Sequence, residues 1–314
     1  MSADFDGIRV EASAAQLREA RYQVARAGPG QTAIARGWQP AQQEMANAVQ
    51  DPPTTIAGVL ARLDTVQQIM DGLPPGSGAN RVAVFNTLYR QITRQVADLL
   101  PTHQVLDRTW LEVLDVEFAR LYLRALELWN DDNPETPDAW EVLFGRAQDE
   151  KLDLMTAAAL GVNAHINHDL ALALIATWER LGFPGDGRQH HDYLLINKIF
   201  FKQIPVLRRR FATAWQLEID RFVGDLDDWS QGVLVQTTRA MAWEQAELLW
   251  TLRDDPENVA RARRVLDRAS AIAGETLLNG DNVLRVLWLT ARGITASLWT
   301  AAVRRLRPRR TVTA

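Results

Sequence analysis

The sequence predicts an all-α protein, a single large helical bundle with an N-terminal extension. Apolar residues recur at three- and four-residue spacing along most of the 314-residue chain. Nowhere does an alternating strand pattern compete, and Pro/Gly-rich breaks fall between the periodic stretches. The expected organisation is an arm over 1–54, a bundle over 55–305 and a basic tail over 306–314.

In the arm, GPGQ, QPAQQE and DPPTT interrupt any long pattern, so short helices laid over the body are expected. Thr54 or Thr55 can cap a first bundle helix carrying Ile56, Val59, Leu60, Leu63 and Val66, which stops at LPPGSG. The next helix has the stripe Val82, Phe85, Tyr89, Ile92, Val96 and Leu99, with Asn86 beside it. A third follows with Leu111, Asp115, Phe118, Tyr122, Ala125 and Trp129. Asp115 falls within that apolar seam, where a carboxylate is unusual unless paired. Then NDDNPETPDAWEVLF reads as an acidic loop, with Thr136 as N-cap, Pro137 at the first helical position and Asp138 favourable to the helix dipole.

The central helix, about 154–181, is apolar on nearly every face, which marks a helix buried at the centre of a bundle. It nevertheless carries Asn163, His165, Asn167, His168 and Asp169. Unpaired polar groups in such a setting cost about 1–3 kcal/mol each, so a hydrogen-bond network or a site is implied. Gly182 and Pro184 close this helix. HHDYLLINKIF opens the next, with His190, His191 and Asp192 in its first turn. Further helices are expected over about 203–222, 229–252, 256–278 and 280–305, and RRLRPRRTVTA reads as a solvated tail.

Composition narrows the function. The apolar fraction of 47% and charged fraction of 24% are ordinary for a globular protein, and a net charge of −4 gives no case for nucleic acid as a partner. No cysteine is present, which excludes disulfides, thiolate catalysis and Cys-ligated metal centres and suits a cytoplasmic location. No apolar run is long enough to span a membrane, and the first residues do not form a secretory signal. Eleven Trp point to a ring-filled core or an aromatic-lined cavity, and four of the five His lie between His165 and His191.

His165 and Asp169, four apart on one helical face, can grip one ion or one water. With Asp192 they could hold a divalent metal (Zn, Mg or Fe), Asp115 being a further candidate ligand. Without metal, the same four residues form an acid/base unit, the carboxylate fixing the imidazole tautomer. Asp131-Asp132-Asn133-Pro134-Glu135 resembles the aspartate-rich motif of class I terpene cyclases. The second metal motif of those enzymes is missing, and Pro134 suits a loop. Nucleophile-elbow, phosphate-loop and dinucleotide motifs are absent.

FNTLY, LDVEFARLYLRAL, DAWEVLF, GVNAHINHDLALAL, HDYLLIN and AWEQAELLW together resemble a bacterial and fungal family, common in actinobacteria and known only as a domain of unknown function. The resemblance covers roughly Thr55 to Leu252. It implies that Asn163, His165, Asp169, Asp192 and Asn197 belong to a shared pattern, that His168 is more variable and the DDNPE loop lies outside it, and it supplies no reaction. The expected function is therefore an enzyme acting on a small, largely apolar molecule by hydrolysis or cyclisation, in specialised biosynthesis. His165, Asp169, Asp192 and Asp115 would do the chemistry, and Tyr89, Tyr122, Asn163, Asn197 and Trp243 would bind substrate. A non-catalytic helical binding or scaffold protein with a structural His/Asp network is one alternative, a terpene-cyclase-like isoprenoid enzyme another, and a homodimer is left open.

Overall fold

A computed structural model describes residues 41–185, 187–210 and 228–278, and all regular structure among them is helical. In chain order the elements are α1 (Gln42–Val49), α2 (Ile56–Asp71), α3 (Ala79–Leu99), α4 (Arg108–Asn130), α5 (Asp138–Phe144), α6 (Leu154–Ala164), α7 (Leu170–Leu181), α8 (Arg188–Arg210), α9 (Asp228–Leu252) and α10 (Pro256–Leu278). None of the described helices is long and apolar enough to cross a membrane.

Local chemistry sets the helix starts. The Thr55 side chain accepts from the Gly58 N–H, Asp107 from Trp110, and Asp153 from Met155 and Thr156, each satisfying donors that the first turn leaves open. Helix α5 departs from expectation. The Thr136 hydroxyl donates to the Asn133 carbonyl, and the helix opens at Asp138 instead. Its first two N–H groups go to Asp267, far along the chain on α10, at 3.0 and 2.9 Å. A carboxylate from another helix therefore replaces the local cap.

Helices α6 and α7 form one rod around which the bundle is built. α3 packs on α6, α4 and α9 on α7, α10 on α5 and α6, and α8 on α9. α2 packs on α3, where Asn86 donates to the Leu63 carbonyl and to Gln67 Oε1. Gly161 permits the close approach of α3 to the rod, since a Cβ there would lie 2.5 Å from the Phe85 ring. α1 lies on α4, burying Met45, Ala48 and Val49, which matches a short helix laid over the body. α8 passes through Pro205 to Arg210 instead of stopping before a separate helix at about 203; the proline removes one backbone bond without ending it. The helix expected over 280–305, residues 211–222, the first 40 residues and the basic tail lie outside the described residues.

A buried carboxylate–imidazole site at a π turn

Between α6 and α7, His165–Asp169 make one turn of π-helix, and the Leu170 N–H reaches back five residues to the His165 carbonyl. Such single wide turns are rare and recur at functional sites. All five residues of this turn are buried. α4, α9 and α10 all pack against it.

Asp169, 1% exposed, is the hub. Its Oδ2 lies 2.9 Å from His165 Nδ1 and accepts the Trp140 indole N–H at 3.1 Å, while Oδ1 lies 2.7 Å from His168 Nδ1. Burial pushes this carboxyl up, but the hydrogen bonds from His165 and His168 outweigh it, so the group ends below the usual carboxylate range. Burial also pulls His165 below its ordinary value, only partly opposed by Asp169, with His168 and Arg239 adding to the decrease. His168 moves the other way. Its burial is outweighed by Asp169 and by Asp267, whose Oδ1 lies 3.9 Å from His168 Nε2.

The consequence is a neutral His165 whose proton, held by ionised Asp169, sits on Nδ1. The two ring nitrogens diverge, so Nε2 points away from Asp169 and carries a lone pair. That Nε2 is buried and has no hydrogen-bond partner among the described residues. Its ring is fixed by the Phe118 ring stacked at 3.5 Å between centroids and 8° between planes, and by Tyr89 edge-on at 4.4 Å.

His165 lines a cavity of about 40 Å³. Its walls are Phe85, Leu88, Tyr89, Ile92 and Val96 of α3; Leu111, Leu114, Asp115 and Phe118 of α4; Val162, Ile166 and Leu170 of the rod; and Ile196 and Arg239. A water needs about 10–15 Å³ of such space, so a small molecule or a few waters fit. Among the described residues, His165 Nε2 and Asp115 Oδ2 are buried polar atoms of this wall without a partner. Burial, then the Glu112 carboxylate, push Asp115 up to about 7. Burial, then Asp115, hold the Tyr89 hydroxyl well above its ordinary value.

The structure brings His165, Asp169, Asp115 and Tyr89 to this one place. Tyr122 packs beside it, edge-on to Phe85, without lining the cavity. Asn197 is one residue removed: its Oδ1 accepts from Arg239 Nε at 2.7 Å, and Arg239 also donates to the Tyr193 carbonyl. Asn163 points elsewhere, donating to the Ser270 carbonyl of α10 and accepting from Asn167. Trp243 belongs to a separate aromatic cluster with Trp110, Trp178 and Tyr193.

Asp192 is not part of this centre. Its carboxylate, fully buried, accepts the backbone N–H groups of Leu106 and Asp107, with His191 Nδ1 at 3.2 Å. It caps the entry to α4, which leaves the expected metal set His165, Asp169 and Asp192 unassembled. Among the described residues no three His, Asp or Glu converge as a metal site. The Asp131–Glu135 stretch is the turn that ends α4, with Asp132 left-handed at φ 52° and its acidic side chains exposed, outside the cavity wall.

The sequence reading missed Trp140, Phe118, Arg239 and Asp267 as parts of the site. Phe118 shares the seam that marks Asp115 and Trp140 lies within DAWEVLF, but nothing in the residues links Arg239 or Asp267 to the cavity.

The family model for DUF5995, a family of unknown function, matches residues 56–280, from α2 through α10 and including every residue of the cavity wall. No curated protein and no solved structure matches the chain. The chain belongs to the DUF5995 family.

Proposed function

We propose that this protein is an acid/base hydrolase of a small, largely apolar substrate bound in the α3–α4 cavity, acting in the cytoplasm. The observation that carries the reading is the pairing, across one apolar cavity, of an unpartnered imidazole nitrogen with an unpartnered carboxyl oxygen, His165 Nε2 and Asp115 Oδ2. In the proposed step His165 Nε2 takes a proton from water as the water oxygen adds to a substrate carbonyl. The resulting imidazolium is balanced by Asp169. Asp115, protonated below about pH 7, gives its proton to the leaving group. Transfer of the proton from His165 back to Asp115 restores the starting state. The apolar walls favour an uncharged substrate and strengthen both polar contacts by excluding water.

A panel of short acyl esters, lactones and amides tests this with the full chain, His165→Gln and Asp115→Asn. Loss of about 10²–10⁴-fold in kcat/KM in each variant, at little changed melting temperature, is the expected result. Hydrolysis that survives His165→Gln, or none by the wild type anywhere in the panel, overturns the proposal. A second reading, a structural network that fixes helix register, is favoured by the three donors that converge on Asp169 from α5 and the π turn. It predicts that His165→Gln lowers the melting temperature and nothing else.

A further inference from the structure

Asp267 stands on α10, outside the cavity, yet both oxygens of Asp169 can be traced back to it. Along one arm, Asp267 Oδ2 and Oδ1 accept the N–H groups of Asp138 and Ala139, the first two residues of α5. The next residue is Trp140, whose indole N–H donates to Asp169 Oδ2. Along the other, Asp267 Oδ1 faces His168 Nε2 at 3.9 Å, and the opposite nitrogen of that ring meets Asp169 Oδ1. α5 has seven residues and no side chain of its own capping its start, so its placement depends on what α10 supplies.

We propose that Asp267 is a positioning residue for the His165 base, acting on Asp169 through Trp140 and His168. The inference rests on the acid/base reading for its catalytic meaning, but not for its geometry. A cap that fixes the first turn of α5 fixes the Trp140 ring one residue further on. An anion beside His168 holds that imidazole with one nitrogen towards Asp169. Remove Asp267 and both donors lose their anchor, leaving Asp169 to its bond with His165 alone. Outer partners of this kind typically change activity about 10–100-fold without touching substrate.

The test uses the full chain labelled at His and Trp, and follows the Trp140 indole N–H and His165 Nδ1–H resonances by NMR. Asp267→Ala is expected to shift or broaden both, and Asp267→Asn, which keeps one acceptor for the α5 cap, to disturb Trp140 less than Asp267→Ala does. Thr55→Ala removes a comparable cap from α2, far from the site, and controls for lost stability alone. On any ester the wild type hydrolyses, Asp267→Ala should lower kcat about 10–100-fold at similar KM. If the two resonances move no more in Asp267→Ala than in Thr55→Ala, or if Asp267→Asn folds and leaves both where they were along with kcat, the positioning role is overturned. If they move while no substrate in the panel is hydrolysed, the acid/base reading fails and the positioning of Asp169 stands.

Discussion

The chain has two places where histidines flank an aspartate: His165–His168–Asp169 on the rod and His190–His191–Asp192 at the start of α8. Both aspartates are buried and both are saturated with hydrogen bonds. The difference lies in what donates. Asp169 takes its bonds from three side-chain rings, and one of these turns its second nitrogen into a cavity. Asp192 takes its main bonds from backbone N–H groups that have nothing further to offer, and its histidine neighbours are exposed. A buried carboxylate with side-chain donors passes its charge on to groups that can react. One that caps backbone ends there.

Removing the two carboxylates is the harshest way to break this comparison. Asp169→Ala should cost about 3–5 kcal/mol in denaturant unfolding, because it orphans three buried ring donors, one of them on a histidine held towards its charged form. It should also abolish activity. Asp192→Ala strips the acceptor from two backbone N–H groups at about 1–3 kcal/mol each and should leave activity at the surviving level of folded protein. Equal loss of activity per folded molecule in both variants would erase the distinction.

Asp115 sharpens the contrast through pH. Its carboxyl is raised in the folded chain from an ordinary 3.8 to about 7, so between those values the folded state holds a proton that the unfolded state has released. Folding stability from this group is therefore greatest below pH 3.8 and declines until pH about 7, by roughly 4 kcal/mol if fully expressed. Asp115→Asn should flatten that decline in chemical denaturation series at pH 4–8. The rate should fall above pH about 7 as the acid is lost. A stability curve with the same slope in wild type and Asp115→Asn would show that the carboxyl is not held up by its burial.

Much of the fold could be read from the residues, because helical periodicity and turn chemistry are local. The 4-3-4-3-4 seam of α4 pointed to Asp115, and the four-residue spacing of His165 and Asp169 gave their bond. What could not be read is non-local. The partners of Asp192 are backbone groups about 85 residues away, which carry no residue label. Asp267 joins α5 across more than 120 residues. The rod is apolar on every side, so its sequence does not say which face meets the cavity, and the π turn shifts the phase between α6 and α7. Asn163, two residues before His165, points about 200° round the helix from it and turns to α10 instead. Trp243 was chosen for its ring alone, and rings fill the core in several places.

The mildest test falls on the two exposed histidines. His191 has a half-exposed side chain, and its polar partner among the described residues is Asp192, already satisfied by two backbone donors. His190 lies against aromatic rings, edge-on to Trp243 at 4.7 Å and stacked with Tyr193 at 6.4 Å between centroids. Replacing both by Gln should change stability by less than about 0.5 kcal/mol and leave kcat/KM unchanged, as expected for surface positions without a buried bond to lose. His168→Gln, by contrast, alters a buried neighbour of Asp169 and should lower both. A doubly substituted His190/His191 chain that lost activity at full stability would mean that the catalytic centre extends to the start of α8, since neither ring reaches the cavity through any contact with Asp169.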